Sequence, residues 1–146
     1  MALDRSDEGL VITASLPDQS PATIPEAPSG TRVANLWEYD VVECFLVGRS
    51  TYLEVELGAG GHFLVLDFSA PRVRRREYAD FRPRLTFARS GERWTSTIVV
   101  PWEMVPDGLT AANAFVIVRD HLLAHHPTPG AAPDFHQPST FPPVSL

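Results

Sequence analysis

Prolines and glycines interrupt this chain too often for a long helix. Fourteen prolines and nine glycines are spread over 146 residues. A proline inside a helix removes a backbone donor and clashes with the preceding turn, so a helical bundle or coiled coil is excluded. The segments between the breaks have the period of strands. Residues 52–57, YLEVEL, alternate cleanly: Leu53, Val55 and Leu57 face one way, and Tyr52, Glu54 and Glu56 the other. Residues 36–48, LWEYDVVECFLVG, are rich in β-branched and aromatic side chains and read as a buried strand ending at Gly48.

The same reasoning predicts strands over 9–18, 62–68, 83–89, 93–100 and 113–123. The GAGG turn at 58–61 predicts one hairpin, and the SGE turn at 90–92 a second. Residues 18–35 read as a Pro-rich polar loop, 71–83 as a charged connection and 101–108 as one helical turn. Residues 124–146, with six prolines, read as an irregular tail wrapping the body. The expectation is all-β: one antiparallel β-sandwich domain over 1–146.

Charge and composition narrow the partners. The net charge is −6, which argues against a nucleic-acid partner, since phosphate binding needs a basic footprint. All 12 basic residues are arginine, which suggests the codon bias of a GC-rich bacterial genome. The single cysteine, Cys44, cannot form an internal disulfide and reads as a small buried hydrophobe. With no basic-then-apolar leader and no long apolar run, no membrane partner is expected and a cytoplasmic location is.

Several motifs together resemble a known group. LWEYDVVECFLVG, YLEVELGAGGHFLVLDF, RWTSTIVVPWEMVP and PDFHQPSTF, in that order, are similar to a family of DOMON-like proteins that itself resembles the family 9 carbohydrate-binding modules. The resemblance covers about residues 36–141. It implies a jelly-roll-like sandwich with a ligand surface on one sheet; members of the wider group bind sugars or haem. In the sugar-binding modules a Trp followed six residues later by Glu lies at the sugar site, and Trp37 and Glu43 match that spacing. Those modules also use a second Trp.

Even spacing places Trp37, Tyr39, Val41, Glu43, Phe45 and Val47 on one face of the 36–48 strand, and Phe115, Ile117, Arg119 and His121 on one face of the last. A carboxylate on a mostly apolar face costs free energy unless it is paired. If the 36–48 and 52–57 strands pair, Glu43, Glu54 and Glu56 can gather on one surface, and Arg119 is the natural counter-charge. The expected ligand-binding set is therefore Trp37, Glu43, Glu54, Glu56 and Arg119, with His62 and His136 at the rim. A structural Glu–Arg pair on a wet sheet face, with Trp37 as core, is the plainer alternative.

The expected function is non-catalytic binding of a small polar ligand, a saccharide by preference, with no resident cofactor. One alternative is a metal-dependent or other enzyme using His121, His125, His126, Asp134 and His136 as ligands. Another is a protein-interaction module. Haem would require Met104 and His121 as axial ligands. No catalytic residue is assigned: there is no G-x-S-x-G elbow, no phosphate-binding glycine motif and no lysine for a Schiff base.

Overall fold

The computed structural model describes residues 1–18, 21–130 and 134–146. Residues 19–20 of the expected loop and 131–133 of the expected tail lie outside the described residues. In chain order the strands are β1 (Ala2–Arg5), β2 (Gly9–Pro17), β3 (Val41–Val47), β4 (Tyr52–Gly58) and β5 (Phe63–Ala70). They continue with β6 (Val73–Glu77), β7 (Leu85–Ser90), β8 (Arg93–Pro101), β9 (Ala111–Val118) and β10 (His121–Ala124). A four-stranded sheet, β1-β2-β8-β7, packs on a six-stranded one, β10-β9-β3-β4-β5-β6. All these strand pairs are antiparallel, so the expected all-β sandwich is what forms.

Alternation builds the core between the sheets. Leu10, Ile12 and Ala14 of β2 and Trp94, Ile98 and Val100 of β8 meet Val42, Cys44 and Leu46 of β3 and Leu53, Val55 and Leu57 of β4. Burying each large aliphatic side chain contributes about 1.5–3 kcal/mol. Cys44 is 1% exposed and its thiol pKa is pushed up to about 12 by burial, so it is a packing residue rather than a nucleophile.

The second face of the six-stranded sheet is not left to water. It carries Val41, Phe45, Tyr52, Leu64, Leu66, Phe68 and Phe115, covered by Leu36 and Phe141. Every residue of β4 is buried as a result. The tail is tied down by backbone bonds: Ala112 N–H donates to Pro142 O and Val144 N–H to Thr110 O. A wrapping tail was expected; a sheet covered on both faces was not.

Three local departures shape the site. The predicted strand over 36–48 begins only at Val41. Asn35 takes a left-handed φ of 55°, and Leu36–Glu38 form a short 3-10 turn. The predicted strand over 113–123 is broken at Arg119, whose φ of 53° turns β9 back into β10. Asp40 fixes that turn by accepting the Arg119 N–H. The charged connection at 71–83 contains an extra strand, β6, whose pairing with β5 carries a bulge. The helical turn expected over 101–108 is a run of turns instead.

Candidate functional site

A cavity of about 420 Å³ opens on the covered face of the six-stranded sheet. Glu43 and Glu54 lie at its floor. Trp37, Phe68, Phe135 and Ile117 supply apolar wall, and Arg72, Arg74 and His136 supply polar groups.

The sheet register brings the carboxylates together. Glu43 of β3 stands directly opposite Glu56 of β4, and Glu54 precedes Glu56 by two residues on the same face. One oxygen from each lies within 4.8 Å of the others. Exposure is 3% for Glu43, 3% for Glu54 and 0% for Glu56. Glu54 Oε2 and both oxygens of Glu56 are buried with no hydrogen-bond partner outside the cluster. Desolvation therefore raises all three pKa values, that of Glu54 to about 7. Repulsion from Glu54 adds to the rise at Glu43 and Glu56. A hydrogen bond with Glu56, and then the charges of Arg74 and Arg72, pull Glu54 back toward its ionised form.

A polar chain runs from the tail to this floor. Arg72 donates to Asp134 Oδ1 at 2.8 Å, and the same oxygen accepts the His136 N–H at 3.0 Å. The Arg72 backbone N–H donates to Tyr52 Oη at 3.1 Å, and Tyr52 Oη lies 2.7 Å from His136 Nδ1. Tyr52 Oη accepts from Arg72 and keeps its own proton to give to His136 Nδ1 when that nitrogen is unprotonated. In that tautomer Nε2 carries the ring proton and faces Glu54 Oε2 at 3.9 Å, the arrangement the neighbouring carboxyl oxygen favours. Burial and the nearby Arg72 charge hold the His136 pKa down to about 4, so the imidazole is neutral at pH 7.

The sequence-predicted residues separate clearly. Trp37 is half-buried and reaches the cavity from the 3-10 turn, not from a strand face; Arg74 lies over its ring at 5.7 Å. Glu43, Glu54, Glu56 and His136 come together as described. Arg119 does not join them: its turn carries it off the sheet face, and its guanidinium donates to Pro21 O. His62 is buried elsewhere, with Nε2 bonded to Ala27 O at 2.9 Å. His121, His125 and His126 are exposed, and Asp134 is engaged by Arg72 and the His136 backbone. Among the described residues the donors that converge closely enough to share an ion are the three glutamates, not this histidine group. Met104 packs on the inner core while His121 is exposed on β10. No second indole faces Trp37 in the cavity wall: Trp94 is core and Trp102 donates to Ser6 O. Sequence reasoning missed Tyr52, Phe68, Arg72, Arg74 and Phe135. The PDFH motif was the available signal for Phe135. The bulge that sets Arg74 opposite Phe68 left none.

The chain matches no protein-family profile. It is 34% identical over 159 residues to the UPF0462 protein C4orf33 homolog of Rattus norvegicus, covering 99% of this chain and 77% of the rat protein. Identity to the human UPF0462 protein C4orf33 is 31%, over 92% of this chain and 72% of the human one. These relatives are vertebrate proteins, so the bacterial source suggested by the all-arginine composition is withdrawn. In structure the chain resembles a Bacteroides uniformis protein provisionally described as carbohydrate-binding. The TM-score is 0.73 at 16% identity, covering 95% of this chain and 73% of that one, a likeness of fold. None of these proteins bears the DOMON-like name. By its identity to the rat protein along nearly all of its length, the chain belongs to the UPF0462 family.

Proposed function

We propose that the cavity on the six-stranded sheet binds a saccharide without transforming it. The observation that carries this reading is the meeting of two acidic side chains, Glu43 and Glu54, the latter with an unpartnered oxygen, with an indole in one opening. A sugar presents directional hydroxyl donors beside flat patches of C–H. Glu43 and Glu54 accept from the hydroxyls, the protonated Nε2 of His136 donates, and Trp37, Phe68 and Phe135 meet the apolar patches. The volume of about 420 Å³ falls in the ordinary range for small-ligand sites. The description of the Bacteroides uniformis protein of like fold supports the same reading, although a shared fold does not itself carry function.

The test is a calorimetric titration with a panel of neutral mono- and disaccharides. Wild type is compared with Trp37→Ala and Glu54→Gln, each checked for fold by circular dichroism. At least one sugar should bind, with affinity reduced tenfold or more in both folded variants. Sugar spectra unchanged after prolonged incubation would agree with binding alone. No binding across the panel, or undiminished affinity in Trp37→Ala, would overturn the reading.

A further inference from the structure

We infer that Glu43, Glu54 and Glu56 together hold a hard divalent cation of the calcium type beneath the cavity, with coordination positions left open toward the ligand. This deepens the saccharide reading, on which the role of the open positions rests.

The first support is distance. One oxygen from each glutamate lies within 4.8 Å of the other two. Calcium takes oxygen ligands at about 2.3–2.6 Å, so two ligands on opposite sides of the ion sit about 4.6–5.2 Å apart and neighbouring ones closer. A single ion can therefore touch all three carboxylates.

The second support is the missing partner. Glu54 Oε2, Glu56 Oε1 and Glu56 Oε2 are out of contact with solvent and accept no hydrogen bond from outside the cluster; the Glu54–Glu56 contact shares a proton between them but brings in no positive charge. A purely structural cluster would aim an arginine or a backbone N–H at them. The nearby guanidinium groups are engaged elsewhere, Arg72 by Asp134 and Arg74 by Glu77. One neutral imidazole, 3.9 Å from Glu54, does not serve three carboxylates. Burying such groups without compensation is costly, and a cation compensates all three at once.

Donor chemistry selects the ion. An all-oxygen set suits calcium, magnesium or manganese, whereas zinc and copper favour nitrogen and sulfur. Magnesium demands near-ideal octahedral geometry, which carboxylates pinned to two adjacent strands do not readily supply; calcium tolerates irregular shells. Glu56 lies below the cavity and Glu43 and Glu54 border it, so the open side of the ion faces the ligand. Adjacent sugar hydroxyls are suitable neutral ligands there.

The test uses the full chain stripped with a chelator and titrated separately with calcium, magnesium, manganese and zinc chlorides, read by calorimetry and thermal melting. The expected result is one saturable calcium site per chain, weakened tenfold or more in Glu56→Gln, an isosteric change that leaves the cavity wall intact. Glu54→Gln provides the second reading should Glu56→Gln fail to fold. Absence of saturable binding, zinc preferred over calcium, or equal affinity in the folded variants would overturn the inference. The two readings fail separately. A sugar bound equally well in chelator and in calcium would remove the cation's role but keep the sugar. Calcium bound with no sugar accepted would uphold the ion and remove the saccharide reading.

Discussion

Glu43 and Glu56 face each other across the β3–β4 ladder as a directly opposed cross-strand pair, both buried. Like charges in that position destabilise a sheet, and here the dielectric is lower than at an exposed pair. Glu56→Gln keeps the shape of the side chain and removes its charge. In chelator at pH 8 the variant should therefore be more stable than wild type, by about 1 kcal/mol or more. Urea unfolding would register this as a higher midpoint at an unchanged slope. A lower midpoint would mean that Glu56 has stabilising partners within the fold.

The stability of the cation-free protein should fall as pH rises from about 4.5 through 7. Each glutamate has a folded-state pKa above its unfolded value, so between the two values the folded state holds a proton that the unfolded state has released. The stabilisation is complete below the unfolded pKa and lost as pH climbs through the folded one. His136 works in the opposite direction. Its pKa is lowered from 6.5 to about 4, so its contribution grows with pH across that window. Glu54, raised from 4.5 to about 7, roughly offsets it. Glu43 and Glu56 remain, and they set the sign. The guanidinium groups facing the cluster, Arg72 and Arg74, lower the glutamate values somewhat and so soften the fall. Urea midpoints at pH 5, 6, 7 and 8 in chelator would show the trend; a rise across the series would contradict it.

The gathering of the three glutamates was legible because a strand alternates with a period of two. Once 36–48 and 52–57 pair with Glu43 opposite an even-numbered residue, as in the observed Glu43–Glu56 pairing, the three glutamates share a face; a slip by one residue would put Glu43 on the other. Glu43 and Trp37 were further marked by the resemblance to sugar-binding modules, whose Trp–Glu spacing they match. The misses are places where backbone conformation departs from that period. Arg119 is carried off the face by a left-handed φ held by Asp40, a contact between residues 79 apart in sequence. Arg74 is turned onto the face by a bulge in which two residues of β6 oppose one of β5. Phe135 arrives from a tail whose path depends on tertiary contacts, since its prolines give no periodic signal. The histidine group failed for the same reason: closeness in sequence did not bring His121, His125 and His126 to one point.

Tyr52→Phe should uncouple the tail from the floor of the cavity. The lost hydroxyl accepts the Arg72 N–H and is hydrogen-bonded to His136 Nδ1, so both lose a partner in a half-buried place. Leaving such groups unsatisfied costs about 1–3 kcal/mol. The sharper readout is nitrogen NMR of His136. In wild type the ring should stay neutral down to about pH 4 with the proton on Nε2. In Tyr52→Phe the tautomer should become mixed. An unchanged tautomer would show that Glu54, rather than Tyr52, orients the ring.

Leu36→Ala and Trp37→Ala should differ in kind although the residues are adjacent. Leu36 is 0% exposed and packs from the 3-10 turn into the aromatic cluster on the outer face of the six-stranded sheet. Truncating a buried leucine costs about 2–5 kcal/mol, through lost transfer energy and the cavity left behind. It also removes the anchor that sets the 3-10 turn, so the indole would be held less firmly. Trp37 is only half-buried at the cavity wall, and its loss should change stability much less. Thermal melting should therefore show a large drop for Leu36→Ala and a small one for Trp37→Ala. Ligand affinity should fall sharply in Trp37→Ala and less in Leu36→Ala, where the indole is loosened but present. Equal losses of stability would place Trp37 in the core and remove it from the ligand wall.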